Sequence, residues 1–297
     1  MNFLLFATVF SLFGLVYLII GWHASKGITS VHDYFLAGKN LGILSVTFTL
    51  IATQLGSGLL MGTSERAYEY GFFGIFYILG MCLGFILLAS GVASRLQSLH
   101  VATTAEIFEK KYSSIFLKHV ASLLSVITMC GILIAQVIAV KKVILSGGFH
   151  HEGIFILFWL FIIAYTILGG LKAVVWTDIF QVLVIVGVFI SLAIYFIWTS
   201  PAGFINSFIT AHKAGIFKDS AIFGLEQIYP VVLVTAMFSL IEQDLAQRFF
   251  AAKSKMVAVL SSIYACVFLM CFAFIPLYFG ISAKLSGEIM PLDGNPL

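Results

Sequence analysis

Apolar residues run along this chain in blocks of membrane length, separated by short polar stretches that collect Gly, Pro, Asn, Asp and charge. A hydrocarbon layer roughly 30 Å thick takes about 20 apolar residues in a helix. Blocks of that length lie near residues 3–21, 43–69, 72–95, 117–146, 153–171, 174–198, 225–249 and 256–283. The pattern predicts an all-α integral membrane protein with about eight transmembrane helices. The longer connections are 22–42, 96–116 and 199–224, and the remaining ones are short enough to force antiparallel neighbours. Two of the long ones carry a surface-helix pattern. "TTAEIFEKKYSS" (103–114) opens on a Thr cap followed by Glu106, with apolar residues spaced for one face. "SPAGFINSFITAHKAGIF" (200–217) follows Trp198, a residue suited to headgroup depth.

The second block breaks the rule of the others. "TLIATQLGSGLLMGTSERAYEYG" (49–71) places Gln54, Gly56, Ser57, Gly58 and Gly62 at mid-span. These are poor helix formers, at a depth where an unpaired backbone group costs several kcal/mol. A helix can be interrupted there only if the freed groups face protein or a polar cavity, which would make the stretch a candidate site. The competing reading is that Gly58 and Gly62, spaced G-x-x-x-G, allow close helix packing. Further on, Glu65 and Arg66 read as an ion pair at the outer mouth of this block.

Composition narrows the class. The 297 residues are 61% hydrophobic and 10% charged, with a mean hydropathy of +1.09, outside the range of water-soluble domains. The net charge of +3 comes without any Lys/Arg run, so nothing points to nucleic acid. Cys82, Cys130, Cys266 and Cys271 sit in apolar runs without metal-ligand spacing and read as small buried residues. His150–His151 have no third ligand. The first block has no basic residues before it and no small-residue cleavage pattern after it, so it is read as a retained helix. Of the 16 Lys and Arg, ten fall on one side of the alternating spans: Lys26, Lys39, Arg95, Lys110, Lys111, Lys118, Lys172, Arg248, Lys253 and Lys255. That side is the inner one by the positive-inside rule, which puts the N-terminus outside. No intramembrane Ser–Lys pair, zinc-type His pair or Asp dyad suggests an enzyme.

Three stretches add a family resemblance. "DYFLAGKNLG" (33–42), "GGLKAVVWTDIFQ" (169–181) and "EQDLAQRFFAAKS" (242–254), in that order and with the glycine-interrupted block after the first, resemble the sodium:solute symporter family. Its members carry sugars, proline, pantothenate and similar solutes. The resemblance runs from about residue 30 to the end. It implies one membrane domain, 1–297, with the leucine-transporter-type inverted-repeat fold. Residues 3–21 would be an extra N-terminal helix, 43–198 the first five-helix repeat, and 225–283 the first two helices of the second, where the fold would be truncated. The implied activity is sodium-coupled symport of a small organic solute across a plasma membrane, the bacterial inner membrane. The partners are then the solute, Na+ as coupling ion and the lipid bilayer.

Carried onto this sequence, the family pattern puts the carbonyls of Ala52 and Leu55 on sodium and the amides of Ser57 and Gly58 at the solute, with Gln54 beside them. Tyr77 is either a stacking wall for the solute or a bundle aromatic. Glu242 is either close to solute or, with Asp244, part of an acidic cluster paired with Arg248 or Lys253. Asp178 lies on the sodium exit path and could also cap a helix after the Gly169–Gly170 turn. Positions that are long and polar in sugar carriers are Leu59, Ile78 and Met81 here, which favours a small amino acid such as proline or another carboxylate. The ending "KLSGEIMPLDGNPL" (284–297) is a loop, and the family completes its sodium site with hydroxyls from a helix that would come later. The expectation is an incomplete symporter, with a second chain supplying the missing helices as a candidate partner. The alternative is a symporter-like sensor or binding module of a signalling protein.

Overall fold

The computed structural model describes residues 3–26, 30–146, 148, 152–199, 206, 209, 210, 213 and 225–285. Among these the regular structure is helical, apart from an isolated bridge between Leu41 and Ala252. In chain order, α1 (Phe3–Ser25) fills the first apolar block and is followed by the short α2 (Val31–Leu36). The second block is divided between α3 (Ile43–Gln54) and α4 (Ser57–Tyr70), and the third between α5 (Phe76–Leu87) and α6 (Ala93–Ser98). The surface helix α7 (Thr104–Tyr112) precedes α8 (Ile115–Ser146), which fills the fourth block. The fifth and sixth blocks form one kinked helix, α9 (Glu152–Thr199), non-helical at Gly170. α10 (Leu225–Ile241) and α11 (Gln243–Ala251) share the seventh block, and α12 (Lys255–Phe272) and α13 (Phe274–Leu285) the eighth.

All eight apolar blocks are thus helical. Five stretches are long and apolar enough to cross a membrane: Leu4–Ser25, Ser57–Ser98, Ile115–Leu145, Gly169–Thr199 and Lys255–Leu285. A sixth is added if the broken pair Ile228–Ile241 and Gln243–Ala251 is one span. This number falls below eight for two reasons. Ser57–Ser98, 42 residues long, contains a turn at Gly71 (φ 62) and takes in more than one block. Breaks elsewhere leave Ile43–Gln54 and Glu152–Ala164 as short apolar helices. α7 forms where the Thr cap predicts it: the Thr103 hydroxyl accepts from the Glu106 amide at 3.3 Å, and the Glu106 carboxylate takes the Ala102 amide at 2.9 Å. Most of the 200–217 surface segment, His150–His151 and residues 286–297 lie outside the described residues.

The chain folds into two compact units that interleave in sequence. The first comprises Met1–Thr49, Ser94–Phe180 and Gln243–Ala258. Here the three motif stretches pack on one another. The Leu41 amide donates to the Ala251 carbonyl at 3.2 Å, and the Lys253 amide donates back to Leu41 at 3.0 Å. Gln97 donates to the Ala252 carbonyl at 3.1 Å, Gln247 to that of Phe35 at 2.8 Å, and the Tyr34 hydroxyl to that of Ile167 at 3.1 Å. Leu36 packs with Val101, Ala246 and Phe250, and Leu171 and Val175 pack with Ala251. These bonds take up backbone groups in loops, at helix ends and at the α9 kink that no helix ladder serves. Gly170 is required at its position: φ 53 and ψ −153 is a conformation open only to glycine, and a Cβ there would stand 2.6 Å from the Tyr34 carbonyl oxygen.

The second unit comprises Leu50–Ala93, Gln181–Glu242 and Val259–Leu297. α5 meets α10 through Gly80 and Gly84, themselves spaced G-x-x-x-G. A Cβ on Gly80 would lie 2.7 Å from the Val232 carbonyl oxygen, and one on Gly84 2.6 Å from the Ser239 Cβ. By contrast, a Cβ on Gly58 would meet only Tyr77, its hydroxyl at 3.4 Å, and one on Gly62 only the Ser57 carbonyl oxygen at 4.0 Å. The close-packing reading of Gly58 and Gly62 therefore belongs to Gly80 and Gly84.

We expect Gly170→Ala to destabilise the protein by about 2 kcal/mol or more, from strain and overlap together. Gly187→Ala, where a Cβ meets nothing within 4 Å, should be neutral or mildly stabilising. Thermal unfolding of both variants in one detergent checks the contrast.

Candidate functional site

In the second unit the α-helical ladder stops at Gln54 and resumes at Ser57, with Leu55 and Gly56 in a turn. The Leu55 amide still closes on the Ile51 carbonyl at 2.8 Å, and the Leu60 amide opens the next helix on Gly56 at 3.1 Å. The interruption falls inside the stretch where Gly56, Ser57 and Gly58 predict it. A helix end leaves its last carbonyls, and a helix start its first amides, outside the ladder. Ala52 and Leu55 stand on the carbonyl side of this break, and Ser57 and Gly58 on the amide side. Leu55 is buried, Ala52, Gln54 and Ser57 are half-buried, and Gly58 is exposed.

A second interruption occurs at Glu242, the one residue between α10 and α11. Its amide donates to the Phe238 carbonyl at 3.1 Å, and the residue is 8% exposed. A carboxylate so buried needs a partner. Gln54 Nε2 donates to Glu242 Oε2 at 3.3 Å, so the structure joins two of the expected solute-side residues across 188 positions of sequence. Tyr77 stands beside Gly58. Arg66 lies over the Tyr77 ring, 5.6 Å from its centroid. The expected Glu65–Arg66 ion pair is not among the salt bridges of the described residues; the ring is the partner the guanidinium finds instead. A cavity of about 550 Å³ opens between the second half of α4 and α10, lined by Glu65, Arg66, Glu69, Phe73, Phe76 and Ile228 among others.

Asp178 lies in the first unit and does not cap a helix: α9 is already helical for several residues before it. Its carboxylate accepts a short hydrogen bond from the Thr49 hydroxyl and pairs with Arg248 Nη2 at 3.4 Å. Arg248 Nε donates to the Thr49 hydroxyl oxygen at 3.0 Å and to its carbonyl at 3.3 Å, and Nη1 donates to the Asp244 carbonyl at 2.8 Å. A single hydroxyl gives to the carboxylate and receives from the guanidinium, which uses both of its capacities. All three side chains are buried, Thr49 completely. One of the two readings of Glu242 and Asp244 paired them with Arg248 or Lys253. Arg248 takes only a main-chain oxygen from Asp244, and its carboxylate partner is Asp178. Thr49 and Arg248 are the members that sequence reasoning missed. Thr49 carries no signal, but an arginine in an apolar span must find a charge, and Asp178 was one of the few acidic groups at such depth.

Residues 34–289 match the sodium:solute symporter family. The chain belongs to that family. Its members and the relatives found are transporters, not enzymes. Over 226 residues the chain is 25% identical to the osmoregulated proline transporter OpuE of Bacillus subtilis (strain 168), covering 70% of this chain and 45% of that protein. Over 230 residues it is 27% identical to the high-affinity proline transporter PutP of the same organism, covering 71% and 47%. It thus spans about half the length of these relatives. Its fold is similar to that of a Na+-coupled sialic acid symporter solved in a substrate-bound outward-open state, with a TM-score of 0.81 at 20% identity over 98% of this chain and 63% of the other. The fold is therefore the all-helical membrane architecture of the leucine-transporter type.

Removing Arg248 should leave a buried carboxylate unpaired. Arg248→Ala is expected to cost about 3–5 kcal/mol, and replacing Arg248 and Asp178 together by Met and Leu to recover much of the loss. A double-mutant cycle in thermal unfolding checks this, and additive losses would refute the pairing.

Proposed function

We propose that this chain serves sodium-coupled symport of a small organic solute, a carboxylate or an amino acid such as proline, across a plasma membrane. The observation that carries the reading is the helix break at Leu55–Gly56 beside the bonded pair Gln54 and Glu242. In this reading the carbonyls of Ala52 and Leu55 offer hard oxygen ligands to Na+. The amides of Ser57 and Gly58, at the positive end of the 14-residue α4, receive the carboxylate of the solute. Glu242 receives a solute ammonium in place of the Gln54 amide, and Tyr77 covers the apolar body. Leu59, Ile78 and Met81 are buried in the bundle core and supply no polar group for a sugar. The proline-transporter relatives favour the same class of solute. Asp178 serves the exit of sodium toward the cytoplasm. The repeats are taken as 43–198 and the stretch beginning at 225–283, in a bacterial inner membrane.

Sodium-dependent binding is the direct test. Radiolabelled proline is expected to bind the protein, assembled with the helices that complete its sodium site, more tightly in sodium than in choline at equal ionic strength. Glu242→Ala should weaken it by about tenfold or more, the loss of one charge-assisted hydrogen bond. Equal binding in both salts would overturn the coupling, and unchanged binding in the Glu242→Ala variant would overturn the site.

The proposed orientation puts the N-terminus outside, following the ten inner-side cations. Reporter fusions near residue 250 should then be cytoplasmic and those near residue 290 external. The reverse would invert the topology.

A further inference from the structure

Cys82 on α5 and Cys266 on α12 meet inside the second unit, although 184 residues separate them in sequence. The Cys82 thiol donates to the Cys266 carbonyl at 3.6 Å, and the Cys266 thiol to the Cys82 carbonyl at 3.5 Å. In this reciprocal arrangement each sulfur points toward the other residue's backbone, so both Cβ–Sγ bonds are directed across the same helix contact. That is the first requirement for a bond between them, because cysteines whose side chains point apart cannot be bridged without moving backbone. Both thiols are free, Cys82 buried and Cys266 half-buried, whereas Cys130 and Cys271 are exposed. Weak S–H bonds to carbonyls hold the pair, and closing it sacrifices little.

We propose that Cys82 and Cys266 form a redox site that a hydroperoxide closes into a disulfide between α5 and α12. The first sulfur attacks the peroxide oxygen, the O–O bond breaks, and an alcohol or water leaves as the cysteine becomes a sulfenic acid. The second thiol then attacks that sulfur, an S–S bond forms, and the hydroxyl leaves as water with the remaining thiol proton. Two thiols are oxidised by two electrons and one peroxide is reduced. The resolving thiol stands next to the site of first attack, so the sulfenic acid is captured before it can be oxidised further. A small neutral peroxide also suits a buried pair that charged oxidants do not reach. Both cysteines belong to the same unit, so the bond staples that unit internally. It also closes a long loop, which constrains the unfolded chain.

The test is to treat the purified chain with tert-butyl hydroperoxide, alkylate the remaining thiols in denaturant and digest without reductant. The expected product is a linked Cys82–Cys266 peptide pair, lighter by two hydrogens than the separate peptides and lost on reduction. It should form within single copies when differently isotope-labelled chains are mixed. With Cys82→Ser the link should vanish and Cys266 should be trapped by dimedone as a sulfenic acid. If that variant does not fold, Cys266→Ser with dimedone on Cys82 gives the mirror result. Recovery of Cys82 and Cys266 as alkylated thiols at a dose that oxidises Cys130 and Cys271 would overturn the proposal, as would a linked pair formed mainly between copies.

Discussion

A backbone amide or carbonyl left without a partner in hydrocarbon costs several kcal/mol, and this constraint organises the molecule. It is why the apolar blocks are helices, and why the breaks at Leu55–Gly56 and at Glu242 carry polar groups. At Leu55–Gly56 and at Glu242 the second unit gives up its helical ladder twice, and Gln54 bonds directly to Glu242 beside the breaks. At Gly170 the first unit kinks a helix of 48 residues against Tyr34, whose hydroxyl bonds the Ile167 carbonyl one turn earlier. Irregular backbone occurs where the fold can answer it.

The same logic extends to charge. Arg248, Thr49 and Asp178 form a buried network whose members come from three separate stretches of chain, and a set of loop contacts holds those stretches together. Leu41 against Ala251 and Lys253, Gln247 against Phe35, and Gly170 against Tyr34 are all contacts between the segments whose residue patterns resemble the symporter family. Their residue identities are explained by packing. The glycine gives room, the small Ala251 and Ala252 allow close approach, and the polar side chains bind loop backbone. The chemistry of the charge network depends on this scaffold.

The spans were legible in the sequence because their signal is a run of side chains that needs no knowledge of neighbours. The break was legible for a similar reason, since Gly56, Ser57 and Gly58 are weak helix formers wherever they stand. Tertiary choices were not. Gly58–Gly62 and Gly80–Gly84 have the same spacing, yet only the second pair meets another helix closely, and nothing local separates them. The one reading offered for Arg248, a pairing with the nearby Glu242–Asp244 cluster, rested on proximity in sequence, whereas the fold brings in Asp178 from 70 residues away. Glu242 and Gln54 were each picked out singly, and their bond was not foreseen.

The buried network also has an order of assembly. Thr49 and Arg248 are 199 residues apart, so at ribosomal rates of about 5–20 residues per second the hydroxyl waits on the order of ten to forty seconds for its guanidinium. Asp178 emerges in between and precedes Arg248 by 70 residues, an interval of about four to fourteen seconds at the same rates. During that interval the carboxylate is in a nascent membrane protein without its cation. The first unit cannot close as the chain is made, segment by segment from the N-terminus. It closes when α11 arrives, and the helix that completes the charge pair also closes that unit.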